Sequence, residues 1–229
     1  MAPNICSEYG KDLYDIVEVI PKTSKLKETI FLLRNRIYKI VEYTISDSTT
    51  LSGSLQIFFY DFGTSLDDVY AYCTDNDDYS DDEKIKGILA LRLPFDLKII
   101  ARYSFVDLCL SINGNRKFGK QIKGAFVDPD HESIGLTTYA YKYLFHSYNL
   151  LISDNQQTLE GYGLWLDGVS SWSRVLVYDI QGNEVICEDL DIQSSEILPW
   201  KLPDNFNEKD YRLTQKKDCR FYIVLFIMQ

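Results

Sequence analysis

The dipeptide Asn113-Gly114 stands between two long runs of alternating side chains, RYSFVDLCLSI before it and KQIKGAFVD after it. A two-residue hairpin loop needs positive φ at both central positions, and Asn-Gly meets that need at little steric cost, so the segment predicts two antiparallel strands. The chain then turns at Asp128 to Glu132 and takes up helical spacing from Ser133 to Tyr148 through Ile134, Tyr141, Leu144 or Phe145, and Tyr148. A short strand, LLIS, follows. Strands and a helix in this order, with no internal repeat, predict an α+β fold.

Other elements follow from the same signals. KDLYDIVEVIP alternates and predicts a strand ending at Pro21. Thr23 or Ser24 is placed to cap a helix, and Leu26, Ile30, Leu33, Ile37, Ile40 and Val41 recur at helical spacing, predicting a long helix to about Tyr43. SLQIFFYDF predicts a strand, followed by an acidic stretch too polar to pack. Lys84 to Leu93 fits a helix or a strand, and Pro94 ends it. Asp154 with Gln157, or Thr158, is placed to cap a second helix through Leu164, Trp165 and Val169. SRVLVYDI, a turn at Gln181-Gly182 and EVICEDL predict another strand pair, and RFYIVLFI a closing strand after the polar segment from Asp189 to Lys217. The whole, residues 1–229, is expected to be one domain. It comprises an N-terminal elaboration over 1–103, a core over 104–188 and an extension over 189–229.

Charge separates function classes. The chain has 24 Lys plus Arg against 34 Asp plus Glu, a formal net charge of −10. Eight of the acidic residues lie between Leu66 and Glu83 with no basic residue among them, which leaves the remainder at −2. Direct nucleic-acid binding is disfavoured, because phosphate contacts need a dense Lys/Arg face. Asp75, Asp77, Asp78, Asp81 and Asp82 are candidate partner-binding residues for a basic protein or other basic substrate. Cys6, Cys73, Cys109, Cys187 and Cys219 are odd in number and widely spaced, without a Cys-x-x-Cys pair, so a reducing cytoplasm is the expected setting. Neither a cationic, apolar leader nor a run of about 18 apolar residues occurs, so no membrane span is expected.

Three familiar patterns fail on context. Gly114-x-x-x-x-Gly119-Lys120 has Gln121 where a phosphate-binding loop needs Ser or Thr to hold magnesium, and a strand follows instead of a helix. His131-Glu132 begins a helical zinc motif, but its second histidine would fall at Gly135. Asp128, Asp130, His131 and Glu132 therefore read as a solvated turn, and no metal is expected. His146, the only other histidine, reads as a surface or structural residue. Neither histidine lies near a Gly-x-Ser-x-Gly elbow, which a Ser-His-Asp hydrolase on an α/β fold would need.

What remains is the stretch from about Ser104 to Ile180. Its strand and turn, Gly124-Ala-Phe-Val127-Asp-Pro129, lead into the loop Glu132-Ser-Ile-Gly135-Leu-Thr137 at the start of a helix. Downstream comes Leu151-Ile-Ser-Asp154-x-x-Gln-Thr158-x-x-Gly161-x-x-Leu164-Trp165. This order resembles the core of the GNAT superfamily of acyl-CoA N-acetyltransferases, and the second motif resembles the S-D-x-x-Q-T…G-x-x-L-W pattern of small GNAT-like proteins carried by bacteriophages. The resemblance covers about a third of the chain. It implies a mixed central sheet flanked by helices and acetyl-CoA or another acyl-CoA as cofactor. Val127, Glu132, Ser133, Ile134, Gly135, Leu136 and Thr137 would bind it, the backbone N–H groups facing its pyrophosphate.

The match is uneven. Glu132 stands where the family has Gln or Arg, and Thr137 where it has Gly or Ala. Trp165 occupies the position of a tyrosine that protonates the leaving thiolate, a role an indole cannot fill. No catalytic residue is therefore assigned, and Tyr139, Tyr141, Tyr143, Tyr148 and Trp165 can be read as packing. The resemblance implies either an acyltransferase acting on an amine, or a non-catalytic acidic protein that keeps the fold and docks on a basic host protein in the host cytoplasm.

Overall fold

In a computed structural model of the chain, the described residues are 4–5, 23–46, 48, 50–157, 161, 163–187 and 223–229. The elements run β1 (Asn4–Ile5), β2 (Thr23–Leu33), β3 (Arg36–Ile45), β4 (Gly53–Asp61), α1 (Leu66–Asp75), α2 (Asp81–Ala90), β5 (Asp96–Ile112), β6 (Asn115–Val127), α3 (Leu136–Tyr148), β7 (Leu150–Ile152), β8 (Gln156–Gln157), a single π-helical turn (Leu164–Val169), β9 (Leu176–Asp179), β10 (Glu184–Cys187) and β11 (Ile223–Met228). Nine strands form one mixed sheet in the order β10-β9-β11-β7-β6-β5-β4-β3-β2, and β1 pairs with β8 separately. The fold is α+β. The predicted strand over residues 11–21 and the segment from Asp189 to Lys217 lie outside the described residues. No described helix is long and apolar enough to cross a membrane.

The chain divides into two compact units. One comprises Leu13–Phe105 and Gly124–Ala140. Here the predicted long helix over 23–43 is replaced by the β2–β3 hairpin, which turns at Arg34 and Asn35, both with positive φ. The reason lies in double burial of β3 and of the end of β2 beside it. Phe31, Tyr38 and Phe59 form a cross-strand row on one face, and on the other Leu32 pairs with Ile37, which packs with Tyr60. A strand covered on both faces carries a near-continuous apolar run that mimics helical spacing over short stretches.

The acidic stretch also folds, contrary to its expected failure to pack. α1 and α2 set Val69, Cys73 and Ile88 against Ile37, Tyr60 and Phe62. Their polar sides stay in water. Ser80 and Glu83 form a reciprocal capping box at the start of α2, which satisfies two backbone donors that the helix itself cannot.

The other unit comprises Met1–Asp12, Val106–Lys123 and Tyr141–Gln229. Asn113 and Gly114 turn with φ of 52° and 76°, as the hairpin requires. β11 runs antiparallel to both β7 and β9, and Val224 to Ile227 are fully buried. Its apolar sequence is that of an interior strand. β6 and β7 pair in parallel through Lys120↔Leu151 and Gln121↔Ile152. Gly119 sits beside this pairing, where an added Cβ would stand 2.5 Å from the Leu150 carbonyl oxygen.

Of the second predicted helix, the described residues show helical positions at Gly161 and Gly163 and a π-helical turn over Leu164–Val169, and its expected start at Thr158 lies outside them. Asp154 has partners on the sheet side. Its carboxylate takes a hydrogen bond from Lys123 at 2.9 Å and one from the Asn155 N–H at 2.8 Å. Ser153 accepts the Leu225 N–H on its Oγ at 2.9 Å and donates its own N–H to the Leu225 carbonyl at 2.7 Å. The Ser153-Asp154 pair thus ties β7 to β11 and to β6.

Candidate functional site

The predicted cofactor residues form one continuous path from the end of β6 to the first turn of α3. Past Val127, the Asp128 N–H donates to the Ile100 carbonyl at 2.7 Å, holding the path to the sheet. The Asp128 carboxylate accepts the Asp130 N–H at 3.0 Å and starts a single 3-10 turn, Pro129–His131, with proline where a missing donor costs nothing.

His131 departs from the expected solvated turn. The residue is 8% exposed, and its ring packs on Phe59 and Tyr38 at centroid distances of 4.9 Å and 6.2 Å. Asp130 and Glu132 on either side face water. Burial, and then the Arg36 charge, push the imidazole below its ordinary pKa, while Asp128, Asp130 and Asp61 pull less strongly the other way. The folded chain therefore holds fewer protons at this ring than the unfolded chain does below about pH 6.5, so stability is lost as pH falls through that range. Urea midpoints should drop more between pH 7 and pH 5.5 in the wild type than in His131→Phe, and equal drops would show that the ring does not titrate in this way.

Beyond the turn, Ser133 and Gly135 take left-handed φ of 59° and 97°. Gly135 is exposed, and an added Cβ there would meet nothing within 4 Å. Leu136 is buried, and Tyr139 donates its N–H to the Gly135 carbonyl at 3.0 Å. The N–H groups of Leu136, Thr137 and Thr138 therefore precede the first i→i−4 donor of the helix. Thr137 turns its hydroxyl toward the sheet, where the Tyr103 hydroxyl donates to it at 3.1 Å. Burial pushes the Tyr103 phenol well above its usual pKa, so it stays protonated and remains the donor. Tyr139 stacks on Phe31 at 3.8 Å.

These features decide whether a pyrophosphate fits. Gly135 leaves space beside its Cα, Thr137 directs its hydroxyl toward Tyr103, and Glu132 is exposed and places a carboxylate in the loop. The backbone suits an anion, and one carboxylate works against it.

Asp75, Asp77, Asp78, Asp81 and Asp82 come together at the corner where α1 ends and α2 begins, and all are exposed. Helix electrostatics accounts for part of this cluster. Asp67 and Asp68 lie in the first turn of α1, and Asp81, Asp82 and Glu83 in the first turn of α2, where negative charge offsets the dipole. Asp75 ends α1, at the unfavourable pole, and Asp77 and Asp78 lie between the helices. Buried Lys84 donates to the Asp77 carbonyl oxygen at 3.3 Å.

Trp165 is 2% exposed and packs against Tyr141 at 5.9 Å. Among the described residues, no group of three or more His, Cys, Asp or Glu side chains is arranged to hold a metal ion. Sequence reasoning missed Tyr103 and inward-facing His131. The strand alternation of RYSF, which puts Tyr103 on the opposite face from Arg102, was the available signal for the tyrosine. No family model, curated protein or solved structure matches the chain.

Proposed function

We propose that this chain is a GNAT-like acyltransferase that moves an acyl group from acyl-CoA to an amine on a basic partner. The observation that carries the reading is Gly135, left-handed and open to solvent, immediately before the buried Leu136 that begins α3. The N–H groups of Leu136, Thr137 and Thr138 are the donors that would hold the pyrophosphate, Gly135 would leave room for it, and Val127, Ser133 and Ile134 would shape its approach. When bound, acyl-CoA supplies an activated thioester. The Tyr103–Thr137 bond keeps the first turn of α3 fixed on the sheet, so these donors need little reorganisation. Asp75, Asp77 and Asp78 provide negative charge to attract an ammonium-bearing acceptor. Trp165, buried and without an acidic proton, takes no part in proton transfer.

A second reading has its own support. Glu132 in the loop and three exposed aspartates not needed at helix starts favour a non-catalytic protein that docks on a basic partner through the α1–α2 corner. One assay separates the readings: release of free thiol from acetyl-CoA in the presence of a Lys-rich peptide, alongside capture of that peptide. The acyltransferase reading expects thiol release, with Asn at positions 75, 77, 78, 81 and 82 raising KM for the peptide about 10-fold and leaving kcat unchanged. Capture without thiol release would favour docking, and loss of both would reject both.

A further inference from the structure

On the sheet face opposite α3, Arg102 makes no ion pair among the described residues. Arg102 neighbours Tyr103, whose hydroxyl reaches Thr137 on the α3 side, so strand alternation puts Arg102 and Ser104 on the other face. The β4–β5 register sets Ser54 opposite Ser104 and Gln56 opposite Arg102. Arg102 and Ser104 are each 3% exposed and Ser54 is 0% exposed. The Nε and Nη1 of Arg102 and the Oγ of both serines have no hydrogen-bond partner among the described residues.

The nearest carboxylate in register cannot supply the charge. Glu42 shares its cross-strand row with Leu55 and Tyr103 and therefore belongs to the α3 face. Burial depresses the guanidinium pKa, yet arginine remains protonated in proteins. A buried, unpaired charge is among the costliest features a fold can carry, and three orphaned polar side chains in adjacent register share one remedy. A small oxyanion accepts from guanidinium and hydroxyl donors together.

We propose that Arg102, Ser54 and Ser104 form an internal binding site for a small oxyanion, a phosphate or a carboxylate. The site lies on the other sheet face from the loop at Gly135 and does not depend on the acyl-CoA reading. Its test is thermal unfolding of the full chain, dialysed free of anions other than chloride, with inorganic phosphate, acetate or chloride added at matched ionic strength. Phosphate or acetate at about 100 times its Kd should raise Tm by roughly 5 °C over chloride, and the stronger of the two identifies the class. Arg102→Met should be at least as stable as the wild type in chloride and lose the response, because the guanidinium that would hold the anion is gone while the loop at Gly135 is intact. Ser54→Ala with Ser104→Ala, a milder change, should weaken the anion about 10-fold. Equal Tm in all three salts, or the same response in Arg102→Met, would overturn the proposal.

Discussion

Trp165→Ala is expected to destabilise the chain by about 3–5 kcal/mol, the range for removing a fully buried large aromatic side chain. Trp165 is nearly inaccessible, stacks obliquely on Tyr141, and shares its turn with buried Leu166 and Val169. Removing the indole leaves a cavity that a short π-helical turn cannot close without shifting its backbone. Trp165→Phe keeps most of the apolar contact and should cost clearly less. Urea unfolding measures both, and the denaturant slope should remain unchanged. The result bears on function because the acyltransferase reading leaves this position without an acid, so the indole should act through packing. A residue used mainly to contact a ligand would give a small stability change and a large binding change.

Gly119→Ala is expected to cost about 3 kcal/mol, at the upper end for overpacking by a single carbon. An added Cβ would meet the Leu150 carbonyl oxygen and Cγ at 2.5 Å each, and the backbone oxygen cannot rotate away as a side-chain tip can. Relief requires β6 and β7 to separate, which weakens the parallel pairs Lys120↔Leu151 and Gln121↔Ile152. Hydrogen exchange should therefore quicken at β6 and β7 while the β2–β3 hairpin stays protected. A stability change below about 0.5 kcal/mol would show that the strands do not approach as closely as described. The glycine that made Gly114-x-x-x-x-Gly119-Lys120 look like a phosphate loop is explained by strand packing.

The contrast between these two positions shows what the sequence carries. The Asn113-Gly114 hairpin, α3, the β9–β10 pair and β11 were legible because each rests on a local rule: a turn dipeptide, a helical period, or an uninterrupted apolar run. The β2–β3 hairpin was not, because Ile30, Leu32 and Ile37 on one face and Phe31 and Tyr38 on the other give spacing that also fits a helix. Arg34-Asn35 is a weaker turn signal than Asn-Gly. The acidic helices were hidden because Val69, Cys73, Ile85 and Ile88 are few among many charges, although Ser80-x-x-Glu83 marks a helix start.

The candidate loop was legible as a position and less so as an environment. Glu132 to Thr137 does open α3, but the inward turn of Thr137 depends on Tyr103, 34 residues earlier in the chain. His131 is buried through contacts with Phe59 and Tyr38 on separate strands, pairings that no local pattern announces. The aspartates divided in a similar way. Those at helix starts have a local electrostatic reason, whereas Asp75, Asp77 and Asp78 gain significance only from the corner that brings them together.

Calorimetric titration of the folded chain with acetyl-CoA tests the acyl-CoA reading most directly. The account predicts saturable one-to-one binding that weakens with salt and persists in Arg102→Met, whose loop is unchanged. Absence of binding at millimolar acetyl-CoA, with the protein folded throughout, would contradict it.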